Sequence, residues 1–249
     1  MEVHHHPDLH HKPKKWKEYF LEFLMIFLAV TLGFFAENIR EKIANNERER
    51  HYMRSIVADL KQDTLALKRI FLKQKYLVNE MDSALQIPVE QLRDINSQDT
   101  FFYHYIYFYS LLSIFKPHDN TLSQLKNAGG FSVIRNSDVL DSIGEINLLY
   151  QASISTANDY CNQFYLRVVD AGSQVMKCPD FIIKLGGTYL KTQKDSEVFI
   201  SYNPLLLQQL YSYIHMEKGQ VLQCMYVQEL YQEKAIRLIK FINKKYNLE

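Results

Sequence analysis

The sequence predicts an all-α protein with one N-terminal transmembrane helix followed by an antiparallel helical bundle. Three observations support this prediction. One long apolar block lies near the N-terminus, several long stretches repeat apolar residues every three or four positions, and glycine and proline number only 8 and 6. Apolar residues at helical spacing indicate amphipathic helices, and scarce turn formers argue against the many tight turns of an all-β fold. Three long helical patterns of this kind favour a bundle.

The chain divides by composition into three segments. Residues 1–18 form a tail rich in histidine and lysine, residues 19–37 form the transmembrane helix, and residues 38–249 form the bundle domain. The net charge of +1 provides no broad positive field, and the bundle domain has no compact basic patch with interleaved aromatic residues. We therefore expect no binding to nucleic acid.

The transmembrane prediction rests on the block from Phe20 to Ala36, which polar residues interrupt only at Glu22 and Thr31. As a helix this block measures about 25 Å at roughly 1.5 Å per residue, which is short for a membrane span. Trp16 and Tyr19 add aromatic rings of the kind that lie at the membrane interface. The block therefore predicts an uncleaved anchor.

A cleaved signal peptide is the alternative, since it has the same basic and apolar parts. Cleavage after Ala36 would place Phe34 at the −3 position, where a small residue is required. The lysine residues before the span are closely spaced: Lys12, Lys14, Lys15 and Lys17. This density predicts a cytoplasmic N-terminus and a bundle on the other side of the membrane.

One face of the predicted span carries small residues. Ala29 and Gly33 are four apart, and Ala36 follows on the same face, so that two helix backbones could approach closely there. Glu22 is a costly carboxylate in this position unless it reaches toward the lysines or faces a partner. We predict these four residues as candidates for association within the membrane.

The tail holds a histidine cluster that could bind a transition metal: His4, His5, His6, His10 and His11. A cytosolic tail or a cloning remnant is the interpretation that we prefer, although Pro7, Asp8 and Leu9 interrupt the cluster and argue against a plain affinity tag. The chain also has three cysteines, Cys161, Cys178 and Cys224, without the spacing of a metal site. We interpret the cysteines as small buried residues.

Helical patterns continue beyond the span. The first has its apolar residues at Met53, Ile56, Leu60, Leu67, Ile70 or Phe71, Val78, Met81 and Leu85, with Thr64 filling one gap and Pro88 ending the run. Residues 89–100 are polar and predict a loop or a short helix. Residues 101–115 are mainly aromatic and aliphatic, and predict a buried helix, with a strand or a membrane-surface segment as alternatives.

Three further helices are predicted in the second half. Asn120 or Thr121 begins a short helix that Gly129 and Gly130 stop. The next, capped by Asn136 or Ser137 and closed by Pro179, has the most regular apolar row: Val139, Ile143, Ile146, Tyr150, Ile154, Ala157, Cys161, Phe164, Val168, Ala171 and Val175.

A loop region marked by Gly186 and Gly187 precedes the last helix. Asn203 and Pro204 combine a capping residue with a proline at the first helical position, which is a strong start signal. The apolar row of this helix follows: Leu207, Leu210, Ile214, Val221, Met225, Ile236, Ile239 and Ile242.

The stretch from His11 to Glu41, which includes HKPKKWKEY and GFFAENIRE, resembles the N-terminal signature of an uncharacterised family of bacterial single-pass membrane proteins. Two later stretches resemble the same family, Asp59–Thr64 (DLKQDT) and, more weakly, Thr121–Gly130 (TLSQLKNAGG). The resemblance implies a bacterial inner-membrane location and a signal anchor. It implies no activity and no catalytic residues.

The sequence contains no HExxH, no paired Glu-x-x-His, no nucleophile elbow, no P-loop and no dinucleotide fingerprint. We therefore expect no enzyme activity, no cofactor and no metal site in the bundle. The predicted function is that of a structural, sensory or partner-binding module, and the alternative is a subunit of an oligomeric membrane assembly or pore. The expected partners are the lipid bilayer and a membrane protein or a second copy of the chain.

Overall fold

The computed structural model describes residues 15–110, 112–127, 129–177, 182–184, 187–189 and 198–248. The predicted histidine cluster, Cys178, Pro179 and Gly186 lie outside these residues. The fold is all-α, with a long N-terminal helix and a helical bundle, as the sequence predicts. The chain forms two compact units, residues 1–51 and residues 52–249.

The helices are α1 Trp16–Leu85, α2 Ile95–Ser110, α3 Asn120–Asn127, α4 Ser137–Leu149, α5 Ser155–Val175 and α6 Pro204–Tyr246. A 3-10 turn at Val89–Arg93 precedes α2, a second at Gly130–Val133 follows α3, and a π-helical turn at Tyr150–Ile154 joins α4 to α5. Two short strands, β1 Ile182–Lys184 and β2 Gly187–Tyr189, pair antiparallel. The predicted loop around Gly187 is therefore partly a β-hairpin.

The first unit contains the start of α1, whose apolar side chains are solvent-exposed in the isolated chain. Its aromatic residues stack in pairs along the helix, Trp16 on Phe20 and Phe23 on Phe27. The Thr31 hydroxyl donates to the Phe27 carbonyl at 2.7 Å, so that this polar group is satisfied within the helix. Among the described helices, α1 alone is long and apolar enough to span a membrane.

The second unit is a bundle in which α6 is the central helix. The α1 residues Asp63 and Asp82 contact Tyr231 and Lys218 of α6, so the two helices run antiparallel. Residues of α4 and α5 meet α6 in the same reversed order, from Glu145 with Lys234 to Cys161 with Cys224. The core lies between α1, the consecutive helices α4 and α5, and α6, and α2 packs across one end of this bundle.

The α2 helix packs its aromatic face against α5 and α6. Phe101 is fully buried and stacks on Tyr211 of α6 at a centroid distance of 5.4 Å. Tyr105 lies so close to Gly172 of α5 that a Cβ there would overlap the phenol ring. The prediction of a buried helix is confirmed, although α2 begins at Ile95 and ends at Ser110, and Phe115 is buried in the following segment.

The helix starts and stops confirm several predictions. Asn136 caps α4 by accepting the Val139 N–H at 3.0 Å, and Asn203 caps α6, which has Pro204 at its first position. Gly129 follows α3 in the left-handed conformation with φ 64°, which a glycine adopts without steric cost. Pro88 lies just beyond the end of α1.

The structure corrects several of the predicted buried positions. Asp63 of α1 is buried, whereas Thr64 is only half-buried and its hydroxyl donates to the Lys61 carbonyl of the same helix. Phe164 and Tyr150 are half-buried. Ile236 is 40% exposed, and the buried row of α6 passes instead through other positions: Cys224, Gln228, Tyr231, Ala235 and Leu238.

Candidate functional site

A cavity of about 80 Å³ opens in the bundle between α1, the segment before α3, α4, the π-helical turn and α6. Its apolar lining includes Ile56, Leu60, Leu122, Ile143, Ile146 and Leu238. Its polar lining comprises Asp59, Asp63, His118, Asp119, Lys126, Asn147, Tyr150, Gln151 and Tyr231. The cavity thus combines an apolar wall with several charged groups.

Asp63 is the most buried charged residue of this cavity, at 1% exposure. Its Oδ1 accepts from the backbone N–H of His118 at 2.8 Å and lies 2.7 Å from the ring Nδ1 of the same residue. Its Oδ2 accepts from the Tyr231 hydroxyl at 2.7 Å. Because an ionised carboxylate only accepts, Nδ1 of His118 carries a hydrogen, and in the neutral ring Nε2 is the acceptor.

These contacts join three elements that are far apart in the chain. Asp63 lies on α1, His118 on the segment that leads into α3, and Tyr231 on α6. A buried carboxylate with three hydrogen-bond donors is well satisfied, whereas the same group without them would be costly. The set of Asp63, His118 and Tyr231, here called the Asp63 clamp, therefore holds one wall of the cavity in place.

Asp59 lies one helical turn before Asp63 and, like it, accepts a hydrogen bond from a distant segment of the chain. Its Oδ2 accepts from the Thr121 N–H at 3.2 Å, near the start of α3. The first N–H groups of a helix have no partner inside the helix, and a carboxylate there is also favourably placed for the helix dipole. The sequence predicts a local cap at Asn120 or Thr121, but this N–H is satisfied by a different helix.

The two tyrosines of the cavity remain protonated at neutral pH. Burial raises the pKa of Tyr231, and the adjacent Asp63 carboxylate raises it further. Burial is also the main cause that raises the pKa of Tyr150, with added effects of Asp119 and Asp159. Both phenols therefore serve as hydrogen-bond donors and not as anions.

The Asp63 clamp is the part of the site that sequence reasoning missed. Asp63 occupies the gap between Leu60 and Leu67 in the apolar row of α1, and a charged residue in such a row was the available signal. His118 precedes α3, and its ring contacts the Asp63 carboxylate of α1. Asp59, Leu60 and Asp63 of α1 meet Leu122 and Lys126 of α3 at this cavity.

The residues predicted for membrane association lie on α1. Glu22, Ala29, Gly33 and Ala36 are all exposed and share one face of the helix. A Cβ built on Gly33 meets no atom within 4 Å, so this face is open in the single chain. The geometry leaves room for a second helix there.

The described residues contain no group of three or more His, Cys, Asp or Glu side chains placed to hold a metal ion. Comparison with known proteins gives no match: no family model, no curated protein and no solved structure is significantly similar to the chain.

Proposed function

We propose that this protein is a single-pass anchor of the bacterial inner membrane whose bundle lies outside the cytoplasm and binds a partner without catalysing a reaction. The observation that carries the binding proposal is the cavity beside the Asp63 clamp. Its carboxylates and apolar wall match a lysine or arginine side chain of a partner protein.

The membrane part of the proposal is supported by the exposed apolar side chains of α1. Phe23, Phe34 and Phe35 are between 64% and 75% exposed in the isolated chain. A contiguous apolar surface of this kind is rare on a soluble monomer and marks a surface that something covers. Lipid is the covering that fits a helix with lysines before it and abrupt polar residues after it. The bacterial assignment rests on the resemblance of the N-terminal residues.

The size of the cavity favours a single side chain over a whole small molecule. Pockets for small molecules usually measure about 300–1,000 Å³, whereas this cavity measures about 80 Å³. A partner side chain that fills a small, partly buried pocket is a typical anchor of a protein interface. We therefore assign the cavity to one anchoring residue.

The charges favour a cation. Asp59 and Asp119 line the cavity with two carboxylates, and Lys126 provides one ammonium group. Lys126 donates to Asn147 at 3.4 Å. The alkyl stem of an incoming lysine or arginine would pack on Ile143 and the other apolar residues, while its charged head would remain near the carboxylates.

Isoleucine-methyl NMR of the full chain in lipid nanodiscs tests this assignment. The probe is n-butylammonium, which reproduces a lysine side chain, and n-butanol is its neutral control. We expect saturable shifts of the Ile56, Ile143 and Ile146 methyls with the ammonium probe, and weaker binding of the alcohol. Equal binding of both probes, or no shift at these methyls, would refute the cation assignment.

A pair of substitutions sharpens the same measurement. Asp59→Asn with Asp119→Asn removes both carboxylates and retains an acceptor for the Thr121 N–H, so we expect the affinity for n-butylammonium to fall about fivefold to tenfold, or about 1 kcal/mol. Asp141→Asn removes one carboxylate on an exposed part of α4, outside the cavity, and should leave the affinity unchanged.

Topology has its own test. A reporter that is active only outside the cytoplasm, fused after Glu249, should give signal if the bundle lies there. A signal only from a cytosolic reporter would reverse the orientation. Retention of the chain in membranes through an alkaline carbonate wash would support the anchor, and a soluble product starting near Glu37 would instead support a cleaved signal peptide.

The open face of α1 favours a second candidate function, as a subunit of an oligomeric membrane assembly. Gly33 and Ala29 leave space for another backbone, and Glu22 lies on the same face. Gly33→Leu should weaken dimer formation in a membrane two-hybrid assay, while Leu32→Ala should not. Equal association of both variants and the wild type would remove this candidate.

A further inference from the structure

Two cysteines meet inside the bundle, at the interface between α5 and α6. The sulfur atoms of Cys161 and Cys224 are 2.7 Å apart. Both residues are buried, at 3% and 2% exposure. The side chains come from neighbouring antiparallel helices and point at each other.

We propose that Cys161 and Cys224 form a disulfide that links α5 to α6 in the membrane-anchored protein. A disulfide requires sulfur atoms to approach to about 2.05 Å, and the two thiols are already in contact. This inference rests on the proposed position of the bundle outside the cytoplasm, because disulfides persist in oxidising compartments.

The reaction is an exchange with a disulfide-bearing oxidant, a protein of the thiol–disulfide oxidoreductase class. One cysteine thiolate attacks a sulfur of the oxidant and forms a mixed disulfide. The thiolate of the second cysteine then attacks the sulfur of the first, which breaks the mixed disulfide and releases the oxidant as a dithiol. The protein loses two electrons and two protons, and the oxidant gains them.

The surroundings of the thiols favour a structural disulfide over a reactive one. The hydrogen bond with Cys224 raises the pKa of the Cys161 thiol, and burial raises it further. A buried thiol with a raised pKa reacts slowly, since the thiolate is the nucleophile. The exchange therefore takes place during folding, before α5 and α6 close over the two sulfurs.

The disulfide would enclose the whole connection between α5 and α6. The two cysteines are 63 positions apart, so the loop contains the β1–β2 hairpin and the isolated pairing of Met176 with Phe199. Closing a long loop reduces the conformational freedom of the unfolded chain. We expect reduction to lower the thermal unfolding midpoint by on the order of 10 °C.

Differential alkylation of the full chain, extracted from native membranes directly into denaturant and N-ethylmaleimide, tests the proposal. A second maleimide of different mass follows after reduction, and mass spectrometry reads each cysteine. We expect the first reagent on Cys178 and the second on Cys161 and Cys224. The first reagent on Cys161 and Cys224, or a linked peptide that contains Cys178, would overturn the proposal.

Substitutions separate the disulfide from other effects of a reductant. Cys161→Ala with Cys224→Ala should abolish the change in unfolding midpoint on reduction, while Cys178→Ala should retain it. An equal effect of the reductant in the double variant would also overturn the proposal. Protease accessibility of the bundle in spheroplasts, measured on the same cells, shows which idea has failed: an accessible bundle with free thiols refutes only the disulfide, and an inaccessible bundle refutes the proposed location.

Discussion

Glu217 tests how burial in the bundle core changes the pKa of a carboxyl group and thereby the stability of the protein. The residue lies on α6 at 1% exposure, and neither carboxyl oxygen has a hydrogen-bond partner among the described residues. Burial raises the pKa of Glu217 from 4.5 to about 8. The carboxyl group is therefore protonated in the folded protein at neutral pH and ionised in the unfolded chain.

The sign of the pH effect follows from this difference. Between pH 4.5 and pH 8 the unfolded chain binds fewer protons at Glu217 than the folded protein does, so the free energy of unfolding falls as the pH rises. The contribution of Glu217 to the free energy of unfolding is fully present below pH 4.5. It is lost as the pH rises through about 8, the pKa of Glu217 in the folded protein. The slope within this window is at most about 1.4 kcal/mol per pH unit, which gives roughly 3 kcal/mol between pH 5 and pH 7.

Glu217→Gln removes the titrating proton and keeps the shape of the side chain. We expect the variant to be more stable than the wild type at pH 7, with a difference that grows by roughly 3 kcal/mol from pH 5 to pH 7. Denaturant unfolding of the full chain in detergent at several pH values measures this difference. Glu229→Gln, on an exposed position of the same helix, is the control and should give a constant difference.

A difference between Glu217→Gln and the wild type that does not change with pH would refute the argument. It would mean that water or a rearrangement solvates the carboxylate in the folded state. When Cys161 is reduced, Glu217 contributes to the raised pKa of its thiol. Repeating the measurement in the Cys161→Ala background removes that coupling.

Four further substitutions test the packing, each by the denaturant midpoint of the full chain. Gly172→Ala should destabilise by about 1–3 kcal/mol because its methyl group would overlap the phenol of Tyr105, and no change would show that the ring moves aside freely. Phe164→Ala should lower the free energy of unfolding by only about 1–2 kcal/mol, since the ring is half-buried. A decrease of about 4 kcal/mol or more would show a fully buried ring. Asp63→Ala should lower the free energy of unfolding by about 3 kcal/mol or more, because it leaves buried donors unpaired. Tyr231→Phe should lower it by about 1 kcal/mol. Equal decreases would contradict the central role assigned to the carboxylate.

The sequence contains enough information for the helices, because their signals are local. Asn136 caps α4, Asn203 and Pro204 begin α6, and Gly129 follows the end of α3, as capping chemistry and steric rules predict. Apolar spacing also identifies Ile154 and Val168 as buried residues. Each of these signals lies within a few residues of the feature that it predicts.

The candidate site could not be predicted in the same way. Asp63 contacts His118 and Tyr231, which are 55 and 168 positions away in the chain. The identity of such a pair depends on how the helices pack, and spacing along one helix does not contain that information. The α6 row shows the same limit, because the polar Gln228 is fully buried while the more apolar Ile236 is 40% exposed.

The π-helical turn at Tyr150–Ile154 has a consequence for how the site could be altered. Buried residues repeat every seven positions before the turn, at Val139 and Ile146, and again after it, from Ile154 onward, but the step between the two rows is eight. The turn thus accommodates one residue beyond the heptad count. A chain that lacks Gln151 would restore an unbroken heptad register and retain the α5–α6 interface, while losing part of the cavity wall. A single-residue deletion would then separate the architecture of the bundle from its recognition surface.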